Sequence, residues 1–208
     1  MHILEELLHP IPFEIFSKSH LFRTPYAAPF KAKGFQNFIS WPLLEQILEK
    51  HNDAWLPQGG LLPSDPQISS GKLTPEQAVQ GFQQGRTVLV RHAERAHAAV
   101  QAIAKDFENL FAKPVDVQLY VTPSGAEGFN WHYDVEEVFV IQCRGEKEFR
   151  LRENTIDPWP LPNTLPKDMH FEREKFSAET VCTLKAGDWL YIPSGCKEGN
   201  SRCRASRT

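Results

Sequence analysis

His132 and Asp134 stand two residues apart in the run GFNWHYDVEEVFVIQCRGEKEFRL, residues 128–151. Residues i and i+2 of a strand point to the same side. A strand beginning near Trp131 therefore directs an imidazole and a carboxylate into one space. That pair is two-thirds of a facial triad, the ligand set that leaves positions open on a non-heme iron(II). Taken singly it is a weak signal, because a surface or core histidine is the commoner outcome of such spacing. Lys147 strengthens it. In EKEFRL this lysine shares parity with Phe149 and Leu151, while Glu148 and Arg150 take the other face. An ammonium on the apolar side of a strand must meet an anion or lose its charge. The plainer alternative is a packed stem whose head snorkels to the rim or pairs with a glutamate. An inward lysine one hairpin after the His/Asp pair suits a dicarboxylate held on the metal.

The elements that must position these residues are legible from periodicity. Up to about residue 111 the chain reads as helices and loops, with RTVLV as a short strand. Ser40 is placed to cap a helix through WPLLEQILEKHND, with Leu43, Leu44, Ile47 and Leu48 as its apolar stripe. PQGGLLPSDPQISSG reads as a loop. Thr74 and Gln77 fit a capping box, with Pro75 at the first helical position and Gly85 at the exit. Val100, Ile103, Phe107, Leu110 and Phe111 mark the strongest helix. From Lys113 onward the period becomes alternating. In VDVQLYV the residues Val115, Val117, Leu119 and Val121 face one way, and Asp116, Gln118 and Tyr120 the other. EEVFVIQC is apolar on both faces, as a strand covered on both sides is. EKEFRLRE, ETVCTL and DWLYIP are further strands, with turns at Arg144-Gly145 and Lys185-Ala186-Gly187. The run DPWPLPNTLPKDMH has too much proline for an interior strand. A solvated loop is the simplest account of its His170, and core packing the simplest account of Cys143.

Composition narrows the class. The 208 residues suffice for one large domain, and the formal net charge of −3 gives no basic surface for nucleic acid. No apolar run approaches the roughly 18 to 20 residues that span a bilayer, and MHILEELLHP carries acids where a signal peptide needs a basic flank. The four cysteines follow no CxxC spacing; a reduced, cytoplasmic protein is expected. Arg86, Arg91, Arg95 and Lys105 read as a solvated face, and phosphate-loop and nucleophile-elbow motifs are missing.

LYVTPSGAEGFNWHYDVEEVFVIQCRGEKEFRL and LKAGDWLYIPSG resemble the JmjC-type, cupin-fold iron(II) and 2-oxoglutarate oxygenases, nearest the ribosomal-oxygenase branch of protein hydroxylases. Arg86 to Pro114 and FEIFSKSHLFRTP are weaker matches. The resemblance implies a mainly β fold with N-terminal helices, a double-stranded β-helix or jelly roll whose mouth holds the metal. It implies His132 and Asp134 as metal ligands and Lys147 as the partner of the distal carboxylate of 2-oxoglutarate. Tyr120 falls where the family has a tyrosine near the cosubstrate, and Gln118 where that branch usually has asparagine. The implied reaction couples 2-oxoglutarate decarboxylation to hydroxylation of an unactivated C–H bond. The implied partner is a protein or peptide substrate, a ribosomal protein among the candidates, with a homodimer left open and no membrane or direct nucleic-acid contact. Two rivals stand beside it: a non-catalytic cupin-fold binding module, and a cupin isomerase or small-molecule dioxygenase, which would not need Lys147.

The sequence departs from the family at the third ligand. Two residues after its IPxG turn the family has histidine; here Ile192-Pro193-Ser194-Gly195-Cys196-Lys197 leads to Glu198. The following GNSRCRASRT lacks apolar alternation, so the roll is expected to be incomplete at the C-terminus. The expected organisation is a helical and loop region over 1–85 packing on a core over 86–195, with an atypical polar tail over 196–208. Three accounts of that tail stay open: an altered reading frame after Gly195, a degenerate relative without catalysis, and Glu198 as a working ligand. An unanchored tail would hold iron weakly.

Overall fold

The computed structural model describes residues 2–57, 71–126, 129, 131–153, 160, 161 and 178–204, and of residues 200–204 the backbone alone. Most of the loop read at 57–71 and most of the proline-rich connection, His170 included, lie outside the described residues. Five α-helices are described: α1 Ile3–Leu8, α2 Phe13–Ser19, α3 Trp41–Lys50, α4 Pro75–Gln83 and α5 Ala98–Phe111. The ten strands are β1 Tyr26–Ala28, β2 Ala54–Trp55, β3 Val88–Val90, β4 Leu119–Val121, β5 His132–Tyr133, β6 Val138–Ile141, β7 Glu146–Arg152, β8 Glu179–Lys185, β9 Trp189–Ile192 and β10 Lys197–Arg204.

Local chemistry sets the helix ends. Thr74 Oγ accepts from Gln77 N at 3.2 Å, and the Gln77 side chain accepts from Thr74 N at 2.9 Å. Gly85, at φ +83°, takes the chain out of α4 in a conformation that favours glycine. The cap expected from Ser40 is corrected: it occupies the N-cap of α3 without a side-chain capping bond. Pro42 stands at the second helical position and has no N–H to offer that hydroxyl.

The strands form three antiparallel sheets, in the orders β1-β9-β6, β5-β10-β7-β8 and β2-β3-β4. In the first, β9 is buried on both faces. Trp189 and Tyr191 pack into an aromatic cluster with Phe16, Phe107 and Phe139, beneath α1, α2 and α5. Leu190 and Ile192 point the other way, onto Phe149, Leu151 and Leu184 of the four-stranded sheet. Two antiparallel sheets thus face each other across one core, the jelly-roll arrangement that the family resemblance implies. The third sheet packs with α3 and α4 in a separate cluster that includes Leu44, Ile47, Leu48, Val88 and Val90.

Two short strands escape the sequence reading because pairing, not pattern, makes them. Ala28 of β1 pairs with Trp189, and Ala54 of β2 with Val90; neither strand is long enough to show a period. The expected strand over 115–121 shortens to β4. Its first half bonds instead to the 3₁₀ turn at Ala93–Arg95, where Ala93 N donates to Val117 O and Val117 N to Glu94.

The main correction concerns the C-terminal run. Residues 197–204, expected to stand outside the core as a polar tail, form β10 in the interior of the four-stranded sheet, between β5 and β7. Backbone hydrogen bonds to two neighbours satisfy such a strand whatever its side chains, so apolar alternation is not required. Lys197 is only 2% exposed there. Gly199 lies so close to β5 that an added Cβ would sit 2.9 Å from Trp131 Cα. Because that neighbour is backbone, Gly199→Ala should push β10 away from β5 and cost about 1–3 kcal/mol. Urea denaturation of the metal-free protein measures it; a loss below half of that range would show that the strands accommodate a methyl group.

Candidate metal centre

Register brings the predicted donors to one face. Glu198 on β10 pairs with His132 on β5 and with Leu151 on β7. Side chains at paired positions share a face, and Phe149 and Lys147 follow Leu151 at spacings of two. His132, Glu198 and Lys147 therefore project from the same side of the sheet. Asp134 stands one residue beyond β5, in the link between β5 and β6.

One ligand atom from each of His132, Asp134 and Glu198 lies within 4.8 Å of the others, and all three residues are half-buried. His132 Nε2 is 3.5 Å from Glu198 Oε1. Two donors bound cis to one small cation stand about 3 Å apart, so modest side-chain movement closes these groups on an ion. One imidazole nitrogen and two carboxylates on one side leave the other side open for exchangeable ligands. Burial raises the Asp134 carboxyl, His132 lowers it, and Glu198 and Glu136 raise it again, the balance being about 6.

The residues expected beside the metal surround the same space. Lys147 Nζ lies 5.3 Å from the Tyr120 ring centroid and 4.9 Å from that of Phe149. It is half-buried against aromatic faces, which attract a cation. The Tyr120 hydroxyl donates to Gln118 Oε1 at 2.7 Å, as their shared parity implies. Sequence reasoning missed Phe129, whose ring meets Tyr120 and His132 edge-on, with centroids 5.9 Å from each. Its signal was its place three residues before the histidine. Glu137 was also missed, and the EE pair before a doubly apolar strand was the available clue.

Among the described residues a second group, His92, Glu94 and Asp116, also gathers within 4.8 Å. There the Arg95 guanidinium already stands 3.3 Å from Glu94 Oε1 and 3.9 Å from Asp116 Oδ1. That group is an ion-pair network rather than a cavity for a cation. Arg86, read as solvated, is half-buried and donates to the Leu56 carbonyl.

A jelly roll with a histidine and two carboxylates gathered on one face is a cupin-type arrangement whose donors could hold a cation. The chain belongs to the JmjC domain family, whose model matches residues 91–203. Among curated proteins it is similar to the bifunctional lysine-specific demethylase and histidyl-hydroxylase NO66 of Dictyostelium discoideum, with 31% identity over 131 residues, 60% of this chain and 24% of that protein. It is likewise similar to ribosomal oxygenase 2 of Bos taurus, with 34% identity over 119 residues, 56% of this chain and 24% of that protein. The chain spans about a quarter of the length of these curated relatives. Among solved structures it superposes on the ribosomal oxygenase YcfD of Escherichia coli in complex with cobalt and 2-oxoglutarate. The TM-score is 0.60 at 20% identity, covering 94% of this chain and 49% of that one. The same protein with cobalt and succinic acid gives 0.58 at 20% identity, covering 96% of this chain and 53% of that one. These superpositions establish the fold.

A cation must displace the proton of Asp134 and any proton on His132, so affinity for Mn(II) should rise with pH through about 6 and level off once both groups are deprotonated. Below about pH 6, affinity should fall by at least about tenfold per pH unit. The sign for the metal-free protein follows from the same shift. The folded carboxyl binds its proton more tightly than the unfolded one, so this group's destabilising contribution is absent below about pH 4 and grows as pH rises to about 6. Mn(II) titrations from pH 5 to 8 check it; a pH-independent affinity would contradict ligation by Asp134.

Proposed function

We propose that the chain is an iron(II) and 2-oxoglutarate-dependent oxygenase that hydroxylates a protein side chain, with a ribosomal protein as substrate. The gathering of His132, Asp134 and Glu198 at one face supports this reading more than any other observation. In it these three residues hold the iron, and Lys147 pairs with the distal carboxylate of 2-oxoglutarate. The relatives favour the same chemistry, since they include a ribosomal oxygenase and a histidyl-hydroxylase, and the neighbour YcfD has been solved in complex with cobalt and 2-oxoglutarate. Iron(II), 2-oxoglutarate and dioxygen together supply an oxidant able to hydroxylate an unactivated C–H bond, with loss of carbon dioxide and formation of succinate.

The chain's own residues orient and insulate. Phe129 meets His132 edge-on and limits the orientations of its ring, and Tyr120 in turn meets Phe129 edge-on. Tyr120 and Phe149 keep the Lys147 ammonium over aromatic faces, poised for an anion. Gln118 holds the Tyr120 hydroxyl on the same wall. Glu198 in place of a histidine changes the charge. Two carboxylates neutralise a divalent ion, whereas one would leave a net positive charge to attract a dianionic cosubstrate. Lys147 then bears more of that attraction, and Glu198→His should tighten 2-oxoglutarate binding.

No helix among the described residues is long and apolar enough to cross a membrane, which accords with a cytoplasmic enzyme meeting ribosomal proteins. A homodimer fits the same proposal, with residues 1–85 packing on the metal-bearing core.

The test is release of labelled carbon dioxide from 2-oxoglutarate, with and without iron(II) and a mixture of ribosomal proteins. Iron-dependent release that His132→Ala and Asp134→Ala each abolish is expected. Iron-independent or absent release would favour the binding-module alternative. Lys147→Ala should raise the KM for 2-oxoglutarate at least about tenfold, the loss of one charge-assisted contact, and leave Mn(II) affinity within about twofold. Equal loss of both would remove Lys147 from its assigned role.

A further inference from the structure

Asp134 is a donor without a ladder. It lies after β5, and β6 begins only at Val138, so other bonds must fix residues 134–137. Gly195 N donates to the Asp134 carbonyl at 2.8 Å, and Ser194 Oγ donates to the Val135 carbonyl at 2.9 Å. These bonds tie the Asp134 segment to the turn between β9 and β10, three residues before Glu198. The far end of the tie is Glu137. Its Oε1 accepts from Ser194 N at 3.1 Å, and its Oε2 accepts from the Tyr191 hydroxyl. The Tyr191 oxygen in turn accepts from Phe22 N at 2.8 Å, and the Tyr191 side chain is fully buried.

We propose that Glu137 is a positioning residue for the metal centre, clamping the 134–137 link to the Ser194-Gly195 turn so that Asp134 and Glu198 stand at a fixed separation. The proposal rests on the reading of His132, Asp134 and Glu198 as metal ligands. Its chemistry is specific to a carboxylate. Two donors, the Tyr191 O–H and the Ser194 N–H, converge on the side chain, and each needs an acceptor oxygen. Burial and the bond to Glu137 push the Tyr191 phenol well above its ordinary range, so it stays a donor. A glutamine offers one acceptor and one amide donor, leaving one of the two buried groups unsatisfied. Groups that orient ligands without touching the ion typically alter metal affinity by about 10- to 100-fold.

The experiment titrates Mn(II) into the metal-free full chain and follows free Mn(II) by electron paramagnetic resonance, at a temperature where thermal unfolding shows each variant folded. Glu137→Gln should weaken Mn(II) binding about tenfold or more. Adding Tyr191→Phe removes the competing donor, lets the single glutamine oxygen serve Ser194 N, and should restore part of the affinity. A merely structural role would lower the unfolding temperature in both variants and move affinity in neither. Should Glu137→Gln not fold, Ser194→Ala reads the same clamp through the lost bond to Val135. Reduced affinity there supports the clamp and unchanged affinity overturns it. Affinity within twofold of the unaltered chain in Glu137→Gln, beside a large loss in His132→Ala, overturns the positioning role alone. No Mn(II) binding by the unaltered chain overturns the metal centre and the positioning role with it.

Discussion

The pairing of β10 with β5 on one side and β7 on the other is the constraint on which the candidate site depends. It sets Glu198 across from His132, and it places both on the face that carries Leu151, Phe149 and Lys147. At Lys197 and Glu198 the strand is paired on both sides, and a shift of one residue there would turn Glu198 to the opposite side. Gly199 lets the two backbones approach where any side chain would meet Trp131. The ligand geometry is thus a consequence of register, and register rests on backbone bonds that polar residues make as well as apolar ones.

Electrostatics complete the site. Burial, and after it the neighbouring carboxylates of Glu198 and Glu136, outweigh the attraction of His132, which is why Asp134 holds its proton to about pH 6. A group of this kind is most stable with a divalent ion at its centre. The ammonium of Lys147 is a positive charge on the same face, set over the Tyr120 and Phe149 rings. One face therefore gathers the three candidate metal ligands and, four residues along β7 from Leu151, the ammonium of Lys147.

Much of this was legible in the sequence, and the reason is parity. The two-residue spacing of Lys147, Phe149 and Leu151 reports a shared face that β7 keeps, while His132 and Asp134 come within 4.8 Å and Gln118 and Tyr120 within a hydrogen bond, although Asp134 and Gln118 lie just outside their strands. The capping box at Thr74 and the stripe of α5 are equally local and equally well read. What escaped was non-local. The strands β1 and β2 are two or three residues long and exist through their partners. β10 lacks alternation, so nothing in its composition announces that it closes the sheet. Glu137 shows in the sequence only as half of an acidic pair, and its role waits on Tyr191 and Ser194, which the chain brings to it. Sequence periodicity reports which side a residue faces, whereas pairing decides what it faces.

The most direct measurement of the central claim is the position of a bound ion. Crystals of the metal-free chain soaked in Mn(II), with anomalous diffraction to locate the manganese, would show which atoms coordinate it. The account predicts one peak within bonding distance of His132 Nε2 and of a carboxylate oxygen from each of Asp134 and Glu198. A peak that His132 and Asp134 share without Glu198, or one at His92 and Asp116 instead, would contradict it.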